Sequence, residues 1–296
     1  MSRTNSNAIR YGLILWVLLA GGVPTAHARH NSHHAAAVSD PSGVDLRSST
    51  ALVIDQTTQQ VVFSKNPDPV HPIASITKLM TALVVLESGQ DLDEQVTVTE
   101  EDVDNLRFTR SSLRVGAHAS RLDFLRMALI ASENRAASAL GRSYPGGIRA
   151  FVGRMNAEAA RLGMTNTHFE DASGLNGNNV STAHDLAILV QTAIQYPRIH
   201  EITTTVSVSI PVGFRGRTVI FHNTNPLVAN SGWAIGLSKT GFINESGQCL
   251  VMQATINGHP MVIVLLDSRG RYARIGDANR VRKWLETHNQ VTVGQL

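Results

Sequence analysis

Strand-like segments stand at both ends of this sequence, and helical segments fill its middle. Short β-branched and apolar runs occupy residues 49–65 and return in residues 235–243, 248–256 and 260–268. Between them, roughly residues 74–200 carry helical periodicity. Strands so far apart in sequence can bury their apolar faces together only if they meet in one sheet. The pattern therefore predicts an α/β (α+β) fold, with an antiparallel sheet built from both chain ends, flanking helices and an inserted all-helical subdomain.

Several local signals support this outline. Ser120 with Asp123, and Thr182 with Asp185, have the spacing of helix N-terminal capping boxes. A last helix is predicted over about residues 271–287. We expect a cleft between the two lobes, which is a common place for a functional site.

The N-terminus has the pattern of an export signal. Arg3 and Arg10 precede the apolar residues 11–23, and Ala26-His27-Ala28 resembles a cleavage site. We predict a signal peptide over residues 1–28 and a periplasmic mature protein. The alternative is an uncleaved anchor, but the apolar run is shorter than the roughly 20 residues that a membrane-spanning helix needs.

The charge balance gives no support to a nucleic-acid partner. Removing the predicted signal peptide reduces 26 basic groups to 24, against 23 acidic ones, and no basic cluster stands out. Residues 29–48 are polar and small, which predicts a flexible leader, and residues 289–296 form a predicted tail. The histidines 30, 33 and 34 have no partners at zinc-site spacing, so we predict no metal and no cofactor.

Ser75 and Lys78 are separated by one helical turn at the start of an apolar helix. A serine hydroxyl becomes a good nucleophile when a base takes its proton. Lysine can be that base if its pKa falls, and we expect desolvation, the helix dipole and a nearby cation to lower it. In the alternative reading, Lys78 extends into solvent and Ser75 only caps the helix.

Two further motifs contain polar side chains that could belong to the same functional site as Ser75 and Lys78. Lys239-Thr240-Gly241 lies on a predicted strand, and a triplet of this composition is expected about 0.02 times by chance. A lysine that protects an edge strand from aggregation is the alternative. Ser132, Glu133 and Asn134 interrupt a helical pattern, which an interhelical turn alone would also explain.

In order along the chain, these motifs are S-x-x-K, S-E-N and K-T-G, a combination found in serine β-lactamases and penicillin-binding proteins. The segments SENRAAS, YPGG, MNAEAARLGM, ASGLNGNNVSTAHDLA and LSKTGFINESGQCLVM resemble low-molecular-mass penicillin-binding proteins of the D-alanyl-D-alanine peptidase family. The resemblance runs from about residue 49 to about residue 288. It implies one DD-peptidase domain of the serine β-lactamase/DD-peptidase-like fold. The middle residue of the second motif departs from the usual aspartate.

The resemblance also implies catalytic roles. Ser75 would attack the carbonyl of a D-alanyl residue and form an acyl-enzyme, with Lys78 taking its proton. Ser132 and Lys239 would relay the proton to the departing amine. Water would then release the product.

Five residues would bind the substrate by the same resemblance: Asn134, Lys239, Thr240, Gly241 and Phe242. Asn134 would hold an amide of the substrate, and Thr240 with Lys239 would bind a carboxylate. The backbone N–H groups of Ser75 and Phe242 would form the oxyanion hole.

The family contains peptidases with different preferences. Its carboxypeptidases commonly carry a further β-rich domain and an amphipathic C-terminal helix, and neither is visible after about residue 288. We therefore expect an endopeptidase that cuts D-alanyl–diaminopimelate crosslinks in peptidoglycan, with at most loose membrane association. A carboxypeptidase, a non-catalytic wall-binding or penicillin-sensing module and a secreted esterase are the alternatives. Partners among cell-wall synthases or hydrolases are also possible.

We expect β-lactams to inhibit this chain covalently. Class A β-lactamases hydrolyse their acyl-enzyme with a glutamate that is followed four residues later by asparagine. Here Glu170 is followed at that spacing by Gly174. The sequence therefore predicts a penicilloyl-enzyme that is hydrolysed slowly at most.

Overall fold

The computed structural model describes residues 43–212 and 217–288. The predicted signal peptide, most of the predicted leader and the predicted tail lie outside these residues. The proposed domain boundaries therefore stay predictions.

The strands of the described residues are β1 (Ser48–Asp55), β2 (Val61–Lys65), β3 (His71–Pro72), β4 (Gln95–Thr97), β5 (His118–Ser120), β6 (Val180–Ser181), β7 (Ser207–Pro211), β8 (Thr218–His222), β9 (Ala234–Ile243), β10 (Gly247–Ile256) and β11 (His259–Ser268). The α-helices are α1 (Thr77–Glu87), α2 (Arg121–Ile130), α3 (Asn134–Arg142), α4 (Gly147–Arg161), α5 (Ala183–Ala193), α6 (Pro197–Thr203) and α7 (Ala273–His288). Short 3₁₀ turns cover Ala74–Ile76, Glu100–Asp102 and Pro226–Ala229.

Five strands form the main sheet in the order β2-β1-β11-β10-β9. Every neighbouring pair in it is antiparallel, and Val53 of β1 lies opposite Ile263 of β11. The predicted sheet from both chain ends is therefore confirmed. The other described strands form the two-stranded sheets β3–β6, β4–β5 and β7–β8. Because β4, β5 and β6 lie within residues 74–200, the prediction that the inserted region is all-helical is wrong in this detail.

The sheet is buried on both faces, which explains the nearly continuous apolar runs of its strands. Along β1, Leu52 packs into the core shared with the helices between β2 and β9, whereas Ala51 and Val53 pack into a second core. Val281 and Leu285 of α7 contribute to that second core. Because successive side chains of a strand point to opposite faces, burial of both faces requires apolar residues at successive positions.

Helix α1 lies inside the helical region. All residues from Thr77 to Val85 are buried, and α1 packs against α2, α3, α4 and α5. A helix that is apolar all round is typical of such a central position. The N-terminal part of α1, which contains Lys78, therefore has no side that faces solvent.

The predicted helix starts are present. Ser120 accepts a hydrogen bond from the Asp123 N–H, and Thr182 accepts one from the Asp185 N–H. The carboxylate of Asp123 pairs with Arg126. Among the described residues, no helix is both long and apolar enough to cross a membrane.

Candidate active site

Ser75 lies in the 3₁₀ turn that leads into α1, and two glycines make room for this turn. A Cβ atom at Gly174 would lie 1.9 Å from the carbonyl oxygen of Ala74, and one at Gly241 would lie 3.2 Å from the Ser75 nitrogen. Ala74 itself has a φ of 47°, a left-handed conformation that is costly for a residue with a side chain. The loop that contains Gly174 and strand β9 thus hold Ser75 from two sides.

The amine of Lys78 is fully buried and contacts three oxygen atoms. Its Nζ lies 2.8 Å from Ser75 Oγ, 2.8 Å from Asn134 Oδ1 and 2.6 Å from the carbonyl oxygen of Ser173. The alternative of a lysine extending into solvent is wrong, because Lys78 has 0% exposure.

Burial lowers the pKa of Lys78 to about 7, and the negative charges of Asp171 and Glu133 limit the decrease. A substantial fraction of neutral amine is therefore present at neutral pH. Desolvation was one of the expected causes. The expected second cation is not a cause of the shift in Lys78, because the charges that act on Lys78 are those of two carboxylates.

The loop after α4 supplies the Ser173 carbonyl. Oδ1 of Asp171 accepts hydrogen bonds from the N–H groups of Ser173, at 2.6 Å, and Gly174, and Oδ2 accepts one from Asn176 at 2.6 Å. Asn179 reaches from the same loop to Thr77 of α1 at 3.1 Å. These bonds fix the loop in the position that points the Ser173 carbonyl at Lys78.

The second motif forms the turn between α2 and α3. Ser132 has a φ of 58°, and Glu133 caps α3 by accepting from the Arg135 N–H. Glu133 also accepts a 2.6 Å hydrogen bond from the Ser111 hydroxyl. The glutamate thus joins this turn to the loop before β5, and the turn positions Ser132 and Asn134.

The third motif places a second buried amine in the site. Lys239 Nζ lies 2.9 Å from Ser132 Oγ and 3.0 Å from the carbonyl oxygen of Thr240. Burial lowers the pKa of Lys239 well below its usual value, and the positive charges of Lys78 and Arg274 lower it further. The alternative role of a solvent-exposed protective lysine is wrong, since Lys239 is 1% exposed.

The structure brings the predicted site residues of all three motifs into one connected arrangement. Lys78 joins Ser75 to Asn134, and Lys239 joins Ser132 to β9. Phe242 follows on β9, which is an edge strand of the sheet, and its side chain is exposed.

Three contacts at this site were not predicted from the sequence. Besides the Ser173 carbonyl, the Thr224 hydroxyl lies 2.6 Å from that of Thr240, and Arg274 Nη1 donates to the carbonyl oxygen of Gly241 at 2.7 Å. Thr224 is in the segment HNTN and Arg274 is at the start of α7, and neither position shows a spacing that relates it to K-T-G. Arg274 adds a cation beside the third motif.

The geometry defines a class of protein. A serine hydroxyl 2.8 Å from a buried lysine of depressed pKa, next to a second serine–lysine pair, is the arrangement of a serine hydrolase that uses lysine as its base. Among the described residues, no three His, Cys, Asp or Glu side chains are grouped so that they could hold a metal ion.

The family follows from comparison with known proteins. The model of the D-alanyl-D-alanine carboxypeptidase family, peptidase S11, matches residues 34–270. The chain belongs to this family and is a serine hydrolase.

Named relatives support the same assignment. The chain is 49% identical over 252 residues to a D-alanyl-D-alanine endopeptidase of Pseudomonas aeruginosa and 44% identical over 252 residues to one of Escherichia coli; each match covers 85% of this chain and 81% of the relative. Penicillin-binding protein D2 of Listeria monocytogenes, solved in its cefotaxime-bound form, has a TM-score of 0.72 and 28% identity, covering 81% of this chain and 97% of that one. The predicted fold class and peptidase family are confirmed.

Proposed function

We propose that this chain is a periplasmic serine DD-endopeptidase that hydrolyses D-alanyl–diaminopimelate crosslinks of peptidoglycan. The observation that carries the proposal is the buried Lys78 amine, which lies 2.8 Å from Ser75 Oγ and has a pKa of about 7. The names of the two bacterial relatives, both endopeptidases, support the choice of bond, in agreement with a peptidase of the penicillin-binding protein 7 type.

In the acylation step, Lys78 takes the hydroxyl proton as Ser75 Oγ bonds to the D-alanyl carbonyl carbon. The oxyanion is held by the N–H groups of Ser75 and Phe242. The C–N bond then breaks, and the departing amine receives a proton through Ser132 and Lys239. Their 2.9 Å contact supports this transfer. Ester hydrolysis by water returns Ser75 to its free form.

The third motif binds the substrate. Lys239 and Thr240 hold a carboxylate, and Gly241 allows close approach of the substrate at the strand edge. Asn134 keeps its amide oxygen on Lys78 and offers an N–H to a substrate carbonyl. We also assign Arg274 to the carboxylate site, because its guanidinium lies 2.7 Å from the Gly241 carbonyl oxygen.

The acyl-enzyme formed with penicillin is long-lived in this proposal. Glu170 is exposed and pairs with His168 at 2.8 Å, and Gly174 is close to Ser75. This arrangement does not supply the water-activating carboxylate of a class A β-lactamase. The cefotaxime-bound relative supports β-lactams as ligands of this fold.

Fluorescent penicillin and intact-mass measurement test the chemistry. The protein should gain the mass of one penicillin, the modified peptide should contain Ser75, and Ser75→Ala should lose the label. An unlabelled native protein would favour a non-catalytic wall-binding module, and rapid steady-state hydrolysis of benzylpenicillin would indicate a β-lactamase.

Crosslinked muropeptide dimers and pentapeptide monomers test the choice of bond. We expect dimers to be converted into monomers. Release of D-alanine from pentapeptides, with dimers left intact, would reject the endopeptidase in favour of a carboxypeptidase. Fractionation of cells with and without mild salt washing tests the periplasmic location, the processing of residues 1–28 and the expected loose membrane association.

A further inference from the structure

The loop between the 3₁₀ turn Glu100–Asp102 and β5 contains a carboxylate that accepts four hydrogen bonds from its own loop. Asp104 Oδ1 accepts from the N–H groups of Leu106 and Arg107, each at 2.9 Å. Asp104 Oδ2 accepts from the N–H of Thr109 at 2.9 Å and from the Thr109 hydroxyl at 2.7 Å. The carboxylate therefore determines both the shape of the loop and the direction in which the Thr109 hydroxyl points.

Asp104 is ionised at neutral pH. Burial acts to raise its pKa, but the hydrogen bonds from Arg107, Thr109 and Leu106 outweigh burial, and the pKa is lowered. An ionised carboxylate can only accept hydrogen bonds. The hydroxyl proton of Thr109 is therefore directed to Asp104, and Thr109 Oγ1 presents only lone pairs to its other neighbour.

That neighbour is the amide nitrogen of Asn134, at 3.2 Å. Since Thr109 Oγ1 can only accept here, the NH₂ end of the amide must face it and the oxygen end must face Lys78, at 2.8 Å. Turning the amide over would place its oxygen against the lone pairs of Thr109. Asp104 therefore orients Asn134 through Thr109.

The orientation of Asn134 decides what the Lys78 amine can do. The carbonyl oxygen of Ser173 and the amide oxygen of Asn134 can only accept hydrogen bonds. In the neutral form of Lys78, the two N–H groups of the amine therefore donate to these two oxygens. The lone pair is then left for the third neighbour, the Ser75 hydroxyl. With the amide turned over, an N–H of Asn134 would occupy this lone pair.

We propose that Asp104 and Thr109 are positioning residues for the acylation step: through the Asn134 amide, they reserve the lone pair of Lys78 for the proton of Ser75. The proposal rests on the assignment of Ser75 and Lys78 as nucleophile and base. It adds a chain of four side chains, Asp104–Thr109–Asn134–Lys78, in which each hydrogen bond fixes the direction of the next.

The substitution Thr109→Val tests the proposal, because it removes the hydroxyl and keeps the shape of the side chain. The measurement is the second-order rate constant for acylation by a fluorescent penicillin, taken between pH 5 and pH 9. We expect the rate at the alkaline plateau to decrease by about 10-fold or more, the equivalent of one hydrogen bond. We also expect the midpoint of the pH profile to move to lower pH, because N–H groups turned toward Lys78 disfavour its ammonium form.

Rescue separates positioning from a role in loop packing. Thr109→Ser keeps the hydroxyl and should acylate at a rate within about threefold of the native protein. Thr97→Val makes the same chemical change at an exposed position of β4 and should leave both the rate and the midpoint unchanged. A purely structural role would lower the rate through loss of folded protein, without moving the midpoint, and would be seen as a lower melting temperature.

A second variant covers the case in which Thr109→Val does not fold. Asp104→Asn keeps the size of the side chain, but its NH₂ end can donate to Thr109 and so release the hydroxyl proton toward Asn134. Asp104→Asn should therefore also lower the acylation rate at the alkaline plateau and move the midpoint of the pH profile. The proposal is overturned if the folded variants acylate at the native rate with the native midpoint, or if Thr109→Ser is impaired as much as Thr109→Val.

The same experiment distinguishes this inference from the proposed function. If the native protein gains no penicilloyl adduct on Ser75, the assignment of nucleophile and base is wrong, and the positioning role is wrong with it. If the native protein is labelled and the variants behave like it, only the positioning role is wrong.

Discussion

The candidate active site contains two buried lysines, each in contact with a serine, and the two pairs differ in the charges around them. Lys78 contacts Ser75 and is close to the carboxylates of Asp171 and Glu133, which oppose the effect of burial on its pKa. Lys239 contacts Ser132, but the charges that act on it are the cations of Lys78 and Arg274, which add to the effect of burial. Two amines that are equally removed from water thus have different proton affinities.

This difference separates two tasks. An amine with a pKa of about 7 can accept and return a proton at neutral pH, as a general base requires. An amine whose pKa is lowered by burial and by neighbouring cations is stabilised in its charged form when an anion binds beside it. We call Lys78 and the groups around it the Lys78 half of the site, and we assign this half to taking the proton of Ser75. The Lys239 half, which is Lys239 and the groups around it, binds the substrate carboxylate and relays the proton to the departing amine.

The largest expected effect is that of Lys78→Met. This substitution removes the base and keeps an unbranched apolar stem, so acylation by penicillin should slow by about 1,000-fold, within the usual range for general-base catalysis. Stopped-flow labelling measures the rate, and Lys283→Met on the exposed side of α7 is the matched control. Near-native acylation by the folded variant would contradict the assignment of Lys78 as base.

Lys239→Met should have a smaller effect that falls mainly on binding. Loss of a buried cation that pairs with a substrate anion should weaken binding of an acyl-D-alanyl-D-alanine ligand by about 100-fold. Calorimetry on the Ser75→Ala background measures affinity without turnover. An unchanged affinity together with a loss of acylation equal to that in Lys78→Met would show that the two halves are not divided in this way.

The same calorimetry tests the charge state of Lys239. Its pKa in the empty site is lowered well below the usual value, and a bound carboxylate stabilises the ammonium form and raises the pKa. Ligand binding should therefore take up a proton at pH values between the two pKa values, and affinity should fall as pH rises through this range. Buffers of different ionisation enthalpy reveal the uptake, which should disappear in Lys239→Met.

Glu133→Gln should shift the pH dependence of the Lys78 half alone. The Glu133 carboxylate raises the pKa of Lys78, so its removal lowers that pKa. Acylation depends on the neutral amine, rises with pH through about 7 in the native protein, and should rise at a lower pH in the variant. Glu133→Asp keeps the charge and should keep the native midpoint, whereas a shift to higher pH in Glu133→Gln would contradict the electrostatic explanation.

The sequence predicted the parts of this molecule that depend on local pattern. The apolar runs at both ends predicted the sheet, and the spacing of Ser75 and Lys78 predicted two side chains on one helical turn. The Ser173 carbonyl, Thr224 and Arg274 were not predicted, because tertiary packing alone brings them to the site. The charges around Lys78 were wrongly assigned for the same reason: a depressed pKa is expected of a buried lysine, but which charges act on it depends on the folded loops.

The smallest expected effect comes from Thr224→Val in the Lys239 half. The Thr224 hydroxyl lies 2.6 Å from that of Thr240, so its loss removes one neutral hydrogen bond beside the carboxylate site. Affinity for an acyl-D-alanyl-D-alanine ligand should fall by about 3- to 10-fold, and the pH midpoint of penicillin acylation should stay at the native value. Thr109→Val makes the same chemical change in the Lys78 half, and there the midpoint should move. If Thr224→Val moved the midpoint as well, proton transfer would extend across both lysines, and the two halves would have to be treated as one coupled unit.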